Sequence, residues 1–356
     1  MLRLIECTRS QMWRRAQPYF FYGVARYLSF IILFGCFLAA TKESYGQGGV
    51  VKVDGSSTVY PIAEAVAEEF LSRAEGTRVT IGISGTGGGF KKFLASEIDV
   101  VNASRPIKKS EIELAAAKGI SFIELPVAFD ALSVVVNVKN TWLEKVTVND
   151  LKKIWEPAAQ GTVLQWNQVR PEWPAKTFQL YGPGVDSGTF DYFTEAIVGK
   201  EDASRGDFTS SEDDNIIVKG VEGNENALGF LGMAYYEANK EKLKVVPVDD
   251  EQDSNGIGAQ LPTAENVLEG TYKPLSRPLY IYARREALNR PEVQRFVLFY
   301  LEQAAVLAPD VGYVALPDAV SKLAVQRFHK KIVGSVYGGH GSREGVSLEE
   351  LMAVAE

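Results

Sequence analysis

Four short turns rich in serine, threonine and glycine are the parts of this chain best suited to chemistry. They are residues 54–58 (Asp-Gly-Ser-Ser-Thr), 84–89 (Ser-Gly-Thr-Gly-Gly-Gly), 102–105 (Asn-Ala-Ser-Arg) and 184–189 (Gly-Val-Asp-Ser-Gly-Thr). Each is predicted to join a strand to a helix. A helix N-terminus offers unpaired N–H groups and a partial positive charge, and hydroxyl groups add donors. Several such turns together would bind a small oxyanion, whereas one alone is an ordinary helix cap.

The segments between these turns alternate between strand-like and helix-like patterns, which predicts an α/β fold with parallel strands. A chain of 356 residues exceeds the usual size of a single core, so we predict two lobes. The apolar segments 129–137 and 279–283 are predicted to be strands that cross between them. Residues 47–129 and 279–356 would form lobe I and residues 130–278 lobe II, with a ligand cleft between the lobes.

The first 46 residues have the pattern of an export signal. Five arginines precede an apolar run, residues 27–40, that is shorter than the roughly 20 residues of a membrane span. We therefore predict a signal peptide with cleavage near Gln47, and a periplasmic or other extracytoplasmic location. An uncleaved membrane anchor and lipidation of Cys36 are the alternatives. Both cysteines, Cys7 and Cys36, lie in this segment.

The composition argues against several classes of partner and chemistry. The chain has 38 Lys and Arg against 45 Asp and Glu, a formal net charge of −7, which disfavours nucleic acid and anionic membranes as partners. A nucleophilic role for Ser187 would need a base, yet the two histidines, His329 and His340, lie far along the chain. Metal-ligand spacing is absent from the sequence as well. We predict no catalytic residues, no metal and no cofactor.

Five motifs together resemble the substrate-binding proteins of phosphate ABC transporters. They are residues 53–61, 82–91, 102–107 and 182–190, which contain the four turns, and residues 274–280 (Pro-Leu-Ser-Arg-Pro-Leu-Tyr). The resemblance extends over about residues 50–336 and is strongest to the branch whose third motif ends in Ser-Arg-Pro. It implies a two-lobed periplasmic-binding-protein fold of type II.

The resemblance also implies a function. The protein would be a monomer that binds inorganic phosphate outside the cytoplasmic membrane and delivers it to the permease subunits of an ABC transporter. It would contact the membrane only through an uncleaved or lipidated N-terminal segment. One alternative is a phosphate-binding sensor or surface protein that acts without a permease, and a weaker one is a phosphate-ester hydrolase.

Carried over motif by motif, the resemblance implies a set of phosphate contacts. They are Ser57, Thr58 and the backbone of Val59, a hydroxyl from Ser84 or Thr86, and Ser187, Gly188 and Thr189. Well-studied members have an aspartate where this chain has Arg105, and an arginine where it has Pro183. We therefore expect Arg105 to provide the cation. Asp186 is expected to accept the phosphate proton or to pair with Arg105 across the cleft.

Overall fold

A computed structural model describes residues 49–73, 76–254, 256–339 and 347–354, to which the structural statements below refer. The predicted export segment, residues 1–46, lies outside them together with both cysteines and His340. Within the described ranges, no helix combines the length and apolar character needed to cross a bilayer.

The described residues form strands and helices in alternation. The strands are β1 Val50–Gly55, β2 Arg78–Ile81, β3 Val100–Ala103, β4 Phe122–Asn137, β5 Val146–Thr147, β6 Gln179–Pro183, β7 Thr209–Ser211, β8 Ala227–Gly232, β9 Leu243–Val245, β10 Val248–Asp249 and β11 Ser276–Arg284. The helices are α1 Tyr60–Arg73, α2 Gly85–Leu94, α3 Lys109–Ala117, α4 Val148–Trp155, α5 Trp166–Val169, α6 Gly188–Phe193, α7 Asp214–Glu222, α8 Met233–Glu237, α9 Ala264–Leu268, α10 Pro291–Asp310, α11 Asp318–Lys330 and α12 Leu348–Val354. The predicted alternation of strands and helices is thus observed.

Nine of the described strands form one mixed sheet in the order β2-β1-β3-β11-β4-β8-β6-β7, with β9 beside β4. Strand β1 runs parallel to β2 and β3, and β6 runs parallel to β7 and β8. The two strands between these groups, β11 and β4, are antiparallel to each other and to their outer neighbours. The parallel groups carry the four turns at the carboxyl ends of β1, β2, β3 and β6.

Strand β4 is long enough to belong to both halves of the sheet. Nine of its first ten residues pair with β11, and residues 132–136 pair with β8. Between Leu279 and Tyr280 the register shifts by one residue, which leaves Val127 of β4 without an opposite partner. Pro126 and Pro278 lie beside this shift, and neither can donate a hydrogen bond to the ladder.

Two large apolar cores lie on either side of this crossing. The first core cluster contains β1–β3, the beginning of β4, most of β11 and the helices α1, α2, α10 and α11. The second core cluster contains the end of β4 with α4, α6, β6 and β8, and a smaller cluster around α7 covers another part of β4 and β8. On β4 the first core cluster ends at Ala128 and the second begins at Ala131.

Helix α1 illustrates how these cores are built. Ile62, Val66 and Phe70 recur at intervals of four residues, so they share one helix face, and all three are buried. The ring of Phe70 meets Phe296 of α10 edge to face, with 5.4 Å between centroids. This packing fixes α1 against α10, and the N-terminal turn of α1 follows the carboxyl end of β1.

Candidate anion-binding site

The first turn, between β1 and α1, brings two buried hydroxyl groups to the junction of the two core clusters. Ser57 is 4% exposed and Thr58 is fully buried. The Oγ1 atom of Thr58 lies 2.8 Å from Oγ1 of Thr189, which belongs to α6 on the other side. Val59, the third predicted contact in this turn, is also fully buried.

The second and third turns meet each other within the first core cluster. Thr86, in the first turn of α2, is fully buried, and its Oγ1 lies 3.2 Å from Oγ of Ser104 and accepts a hydrogen bond from the Ser104 amide. Ser84 points elsewhere, because its hydroxyl donates to Asp54 at 2.5 Å. Ser84 and Thr86 were the two alternatives for the hydroxyl contact from this turn. The structure places Thr86 in the hydroxyl cluster, whereas Ser84 lies outside it.

The fourth turn starts α6 and faces the second and third turns. The Ser187 side chain caps the helix by accepting a hydrogen bond from the Thr189 amide at 3.1 Å. Gly188 lies where the fourth turn comes closest to the second and third turns, and it has no side chain there. A Cβ atom there would lie 2.7 Å from Oγ1 of Thr86 and 2.8 Å from Oγ of Ser104. The structure therefore brings Thr58, Thr86, Ser187, Gly188 and Thr189 together.

Arg277 of β11 is the cation at the centre of this arrangement. Its side chain is 1% exposed, and it donates from Nη1 to the Gly188 carbonyl at 2.9 Å and from Nη2 to Oγ1 of Thr189 at 2.7 Å. It forms an ion pair of 3.0 Å with Asp130 of β4. Arg277 thus contacts the fourth turn directly and lies close to Thr58 of the first.

Sequence reasoning quoted Arg277 as part of a strand motif and did not assign it to the site. A signal was available: Asp130 is the one charged residue of the predicted crossing strand 129–137, and Arg277 lies two residues before the other predicted crossing strand, 279–283. An isolated charge in a buried strand needs a partner. Pairing of the two strands would have placed these charges opposite each other.

Arg105, the cation that the sequence predicted, is also buried but is already paired with two carboxylates. Its Nε donates to Asp191 of α6 at 2.6 Å, and its two terminal nitrogens donate to the two carboxylate oxygens of Glu111 at 2.9 Å each. Burial alone would lower the pKa of the guanidinium, but Glu111 and Asp191 outweigh burial and raise it. Arg105 therefore joins the two core clusters as a fully charged group.

The structure does not show the expected pairing of Asp186 with Arg105. Asp186 forms an ion pair of 2.7 Å with Lys91, and its side chain is 41% exposed. The fourth turn directs this side chain away from the hydroxyl cluster, toward Lys91. The Asp186 carbonyl accepts a hydrogen bond from the Gly87 amide at 2.8 Å. The carboxylate opposite Arg105 is Asp191, one helical turn further along.

A third buried carboxyl group, after Asp130 and Asp191, borders the cluster at the start of α7. Asp214 is 1% exposed, and its Oδ2 accepts a hydrogen bond from the Ser57 hydroxyl at 2.8 Å. Burial raises the pKa of Asp214 to about 7. The Ser57 hydrogen bond and Arg277 oppose the shift, while the nearby Asp130 adds to it.

The site as a whole combines two arginines, several hydroxyl groups and the N-termini of helices α1, α2 and α6. Together these groups suit a small oxyanion.

Comparison with known proteins gives the family. A family model described as a PBP superfamily domain matches residues 39–303. Protein SphX of Synechococcus elongatus is 49% identical over 311 residues, which cover 87% of this chain and 90% of the relative. The phosphate-binding protein PstS of Staphylococcus saprophyticus is 39% identical over 81% of this chain and 86% of its own. The chain belongs to the PBP superfamily, in the family of SphX and PstS.

A solved structure of another family member agrees with this assignment. The crystal structure of a possible phosphate binding protein from Planctomyces limnophilus is 44% identical, with a TM-score of 0.60, and the match covers 80% of this chain and 99% of that one. The resemblance and the periplasmic-binding-protein fold that the motifs predicted are both confirmed. This PBP-superfamily protein therefore carries its converging turns on the fold that the sequence indicated.

Proposed function

We propose that this protein binds inorganic phosphate at the converging turns and delivers it to the permease subunits of an ABC transporter. The observation that carries the proposal is the position of Arg277. It contacts Gly188 and Thr189 from one side and lies beside Thr58 from the other, at the strand crossing. The names of its relatives, SphX and phosphate-binding PstS, support phosphate as the ligand.

The proposed contacts are drawn from both sides of the crossing. The first core cluster would supply Ser57, Thr58, the backbone of Val59, and Thr86. The second would supply Ser187, the Gly188 amide and Thr189. Arg277 and Arg105, although each is paired with a carboxylate, would donate charge-assisted hydrogen bonds to the phosphate. Because the hydroxyls are uncharged donors, the site would bind a dianion without a large positive field on an acidic protein.

We further propose that the two core clusters are lobes that open and close around the ligand, with boundaries near 129/130 and 278/279. The positions at which one core gives way to the other on β4 support these boundaries. Thr58 and Thr189 are in direct contact, as are Arg105 and Asp191, so these pairs must separate to admit an anion between them. Phosphate would then replace the contact between the two threonines on closure.

The remaining features of the proposal follow from the same family. The protein would be exported by its N-terminal segment, act as a monomer outside the cytoplasmic membrane and perform no covalent chemistry. A phosphate sensor without a permease would use the same site. The two roles differ in whether deletion of the gene abolishes phosphate uptake by cells.

Calorimetric titration of the exported protein with phosphate, arsenate and sulfate tests the proposal. We expect saturable binding of phosphate with a stoichiometry of one, and weaker binding of sulfate, which has no proton to donate. Absence of phosphate binding would contradict the proposed function. Metal-dependent turnover of a chromogenic phosphate ester would favour the hydrolase instead.

A further inference from the structure

The contact between Ser57 and Asp214 joins the two sides of the crossing next to the hydroxyl cluster. We propose that Asp214 is a positioning residue of the anion site, which holds the Ser57–Thr58 turn in the closed protein and takes up a proton when the protein closes. This inference rests on the proposed function and assigns to Asp214 a part in it.

The geometry of the contact supports the positioning role. The Ser57 hydroxyl and Oδ2 of Asp214 are 2.8 Å apart, and both residues are buried. The Ser57 carbonyl also accepts a hydrogen bond from the Tyr235 hydroxyl of α8 at 3.1 Å. Residues of the α7–α8 region therefore hold the turn at two points, immediately beside Thr58. If the lobes part, both contacts break together.

The charges around Asp214 explain why it would take up a proton. The facing groups are Asp130 on β4, Arg277 on β11, Asp213 on its own helix, and the neutral phenols Tyr235 and Tyr313. Arg277 is already paired with Asp130. Within the described part of the chain, Asp214 forms no ion pair of its own, so its ionised form would be buried without a counter-charge.

The pKa of Asp214 supports the same conclusion. Burial raises it to about 7 in the closed protein, and a bound phosphate anion nearby would raise it further. In an open protein, with Asp214 facing water, it would return toward the usual value of about 4. Between these values the closed form binds one proton more than the open form. Closure, and with it phosphate binding, is therefore favoured at low pH and weakens as the pH rises from about 4 to about 7.

The variant Asp214→Asn separates this effect from the titration of phosphate itself. Asparagine retains an oxygen that can accept from Ser57 but cannot take up the proton. We expect the ratio of wild-type to D214N association constants for phosphate to fall by up to about tenfold per pH unit between about pH 5 and pH 7, and to level off above. Asp213→Asn, one residue earlier and on the helix cap, is the matched control. Asp213 raises the pKa of Asp214 less than burial and Asp130 do, so this variant should retain the pH dependence of the wild type with only a small shift to lower pH.

Calorimetry of phosphate binding in two buffers of different ionisation enthalpy gives the proton count directly. Near pH 6 the wild type should take up more protons than D214N, by up to one per phosphate bound. An infrared spectrum of the wild type labelled with ¹³C-aspartate should gain a protonated carboxyl band on phosphate addition, which makes the test independent of how well D214N folds.

The outcomes distinguish this inference from the proposed function. If the wild type binds no phosphate, the proposed function fails. If it binds phosphate but wild type and D214N have parallel pH profiles, or no new carboxyl band is observed, the role of Asp214 is overturned while phosphate binding stands.

Discussion

Asp130 on β4 and Arg277 on β11 lie opposite each other in the strand register and form a fully buried ion pair at the point where the two core clusters meet. The pair connects the fold to the site, because the same guanidinium contacts Gly188 and Thr189. Removal of one partner should therefore affect both stability and ligand binding.

Replacement of Arg277 by methionine should destabilise the protein and weaken phosphate binding. It leaves the Asp130 carboxylate buried without a cation, which typically costs about 3–5 kcal/mol in free energy of unfolding. We expect phosphate affinity to fall by more than about tenfold, since a charged hydrogen bond contributes about 1.5–3 kcal/mol. Denaturant unfolding and calorimetry measure the two effects.

Two further variants isolate the role of the arginine. The double variant Asp130→Asn with Arg277→Met should regain part of the stability but not the affinity, because no buried carboxylate is left unpaired. Arg284→Met, on the same strand but paired with Asp99, should retain phosphate affinity. Normal phosphate binding by the Arg277→Met variant would remove this arginine from the site.

Replacement of Arg105 by alanine should weaken phosphate binding by more than about tenfold. The variant loses a cation and also the contact with Asp191 that joins the two core clusters. Lys108→Ala is the control, because Lys108 contacts the same Asp191 at 3.2 Å but is more exposed. Equal losses of phosphate affinity in the two variants would mean that the number of positive charges near the site matters, and not the specific contacts of Arg105.

A methyl group at Gly188 should prevent the fourth turn from approaching the second and third. Its Cβ would lie 2.7 Å from Oγ1 of Thr86 and 3.0 Å from Cγ of Arg105. We expect Gly188→Ala to lower phosphate affinity by at least about tenfold, or 1.4 kcal/mol. Gly206→Ala, where the nearest atom to a Cβ would be 3.5 Å away, should bind like the wild type.

The variant Asp186→Asn should leave both phosphate affinity and the discrimination against sulfate nearly unchanged. Its carboxylate is 41% exposed and paired with Lys91, and exposed ion pairs contribute about 0.2–1 kcal/mol. Competition of sulfate with phosphate provides the measurement. A marked gain in sulfate binding would restore the acceptor role that the sequence suggested for Asp186.

The positions of the turns were predictable because their determinants are local. Glycine, serine and threonine directly after a strand-like segment indicate a strand-to-helix junction, and residues 54–58, 84–89 and 184–189 lie at such junctions. The alternation of strands and helices likewise predicted the parallel groups β1–β3 and β6–β8. Each of these features depends on neighbours within a few residues.

The charge partners were not predictable in the same way. Arg105 pairs with Asp191, which lies 86 positions away, and the antiparallel pairing of β11 with β4 joins residues 147 positions apart. Spacing along the chain does not identify such contacts, although the isolated charges Asp130 and Arg277 indicated that each needed a partner. Asp186 was expected to accept the phosphate proton or to pair with Arg105, yet a turn directs adjacent side chains to different sides, and Asp186 points outward toward Lys91.

The register shift near the crossing bears on the order in which ligand contacts would form. Val127 has no opposite partner and Pro126 and Pro278 donate no hydrogen bond, so the ladder is interrupted on the first-core side of the Asp130–Arg277 pair. If rotation is concentrated there, Arg277 moves as part of the second lobe and keeps its contact with Gly188 when the lobes part. Half of the site would then stay assembled in the open protein, so an incoming anion would dock first on Arg277 and α6, and the hydroxyls of Thr58 and Thr86 would arrive last.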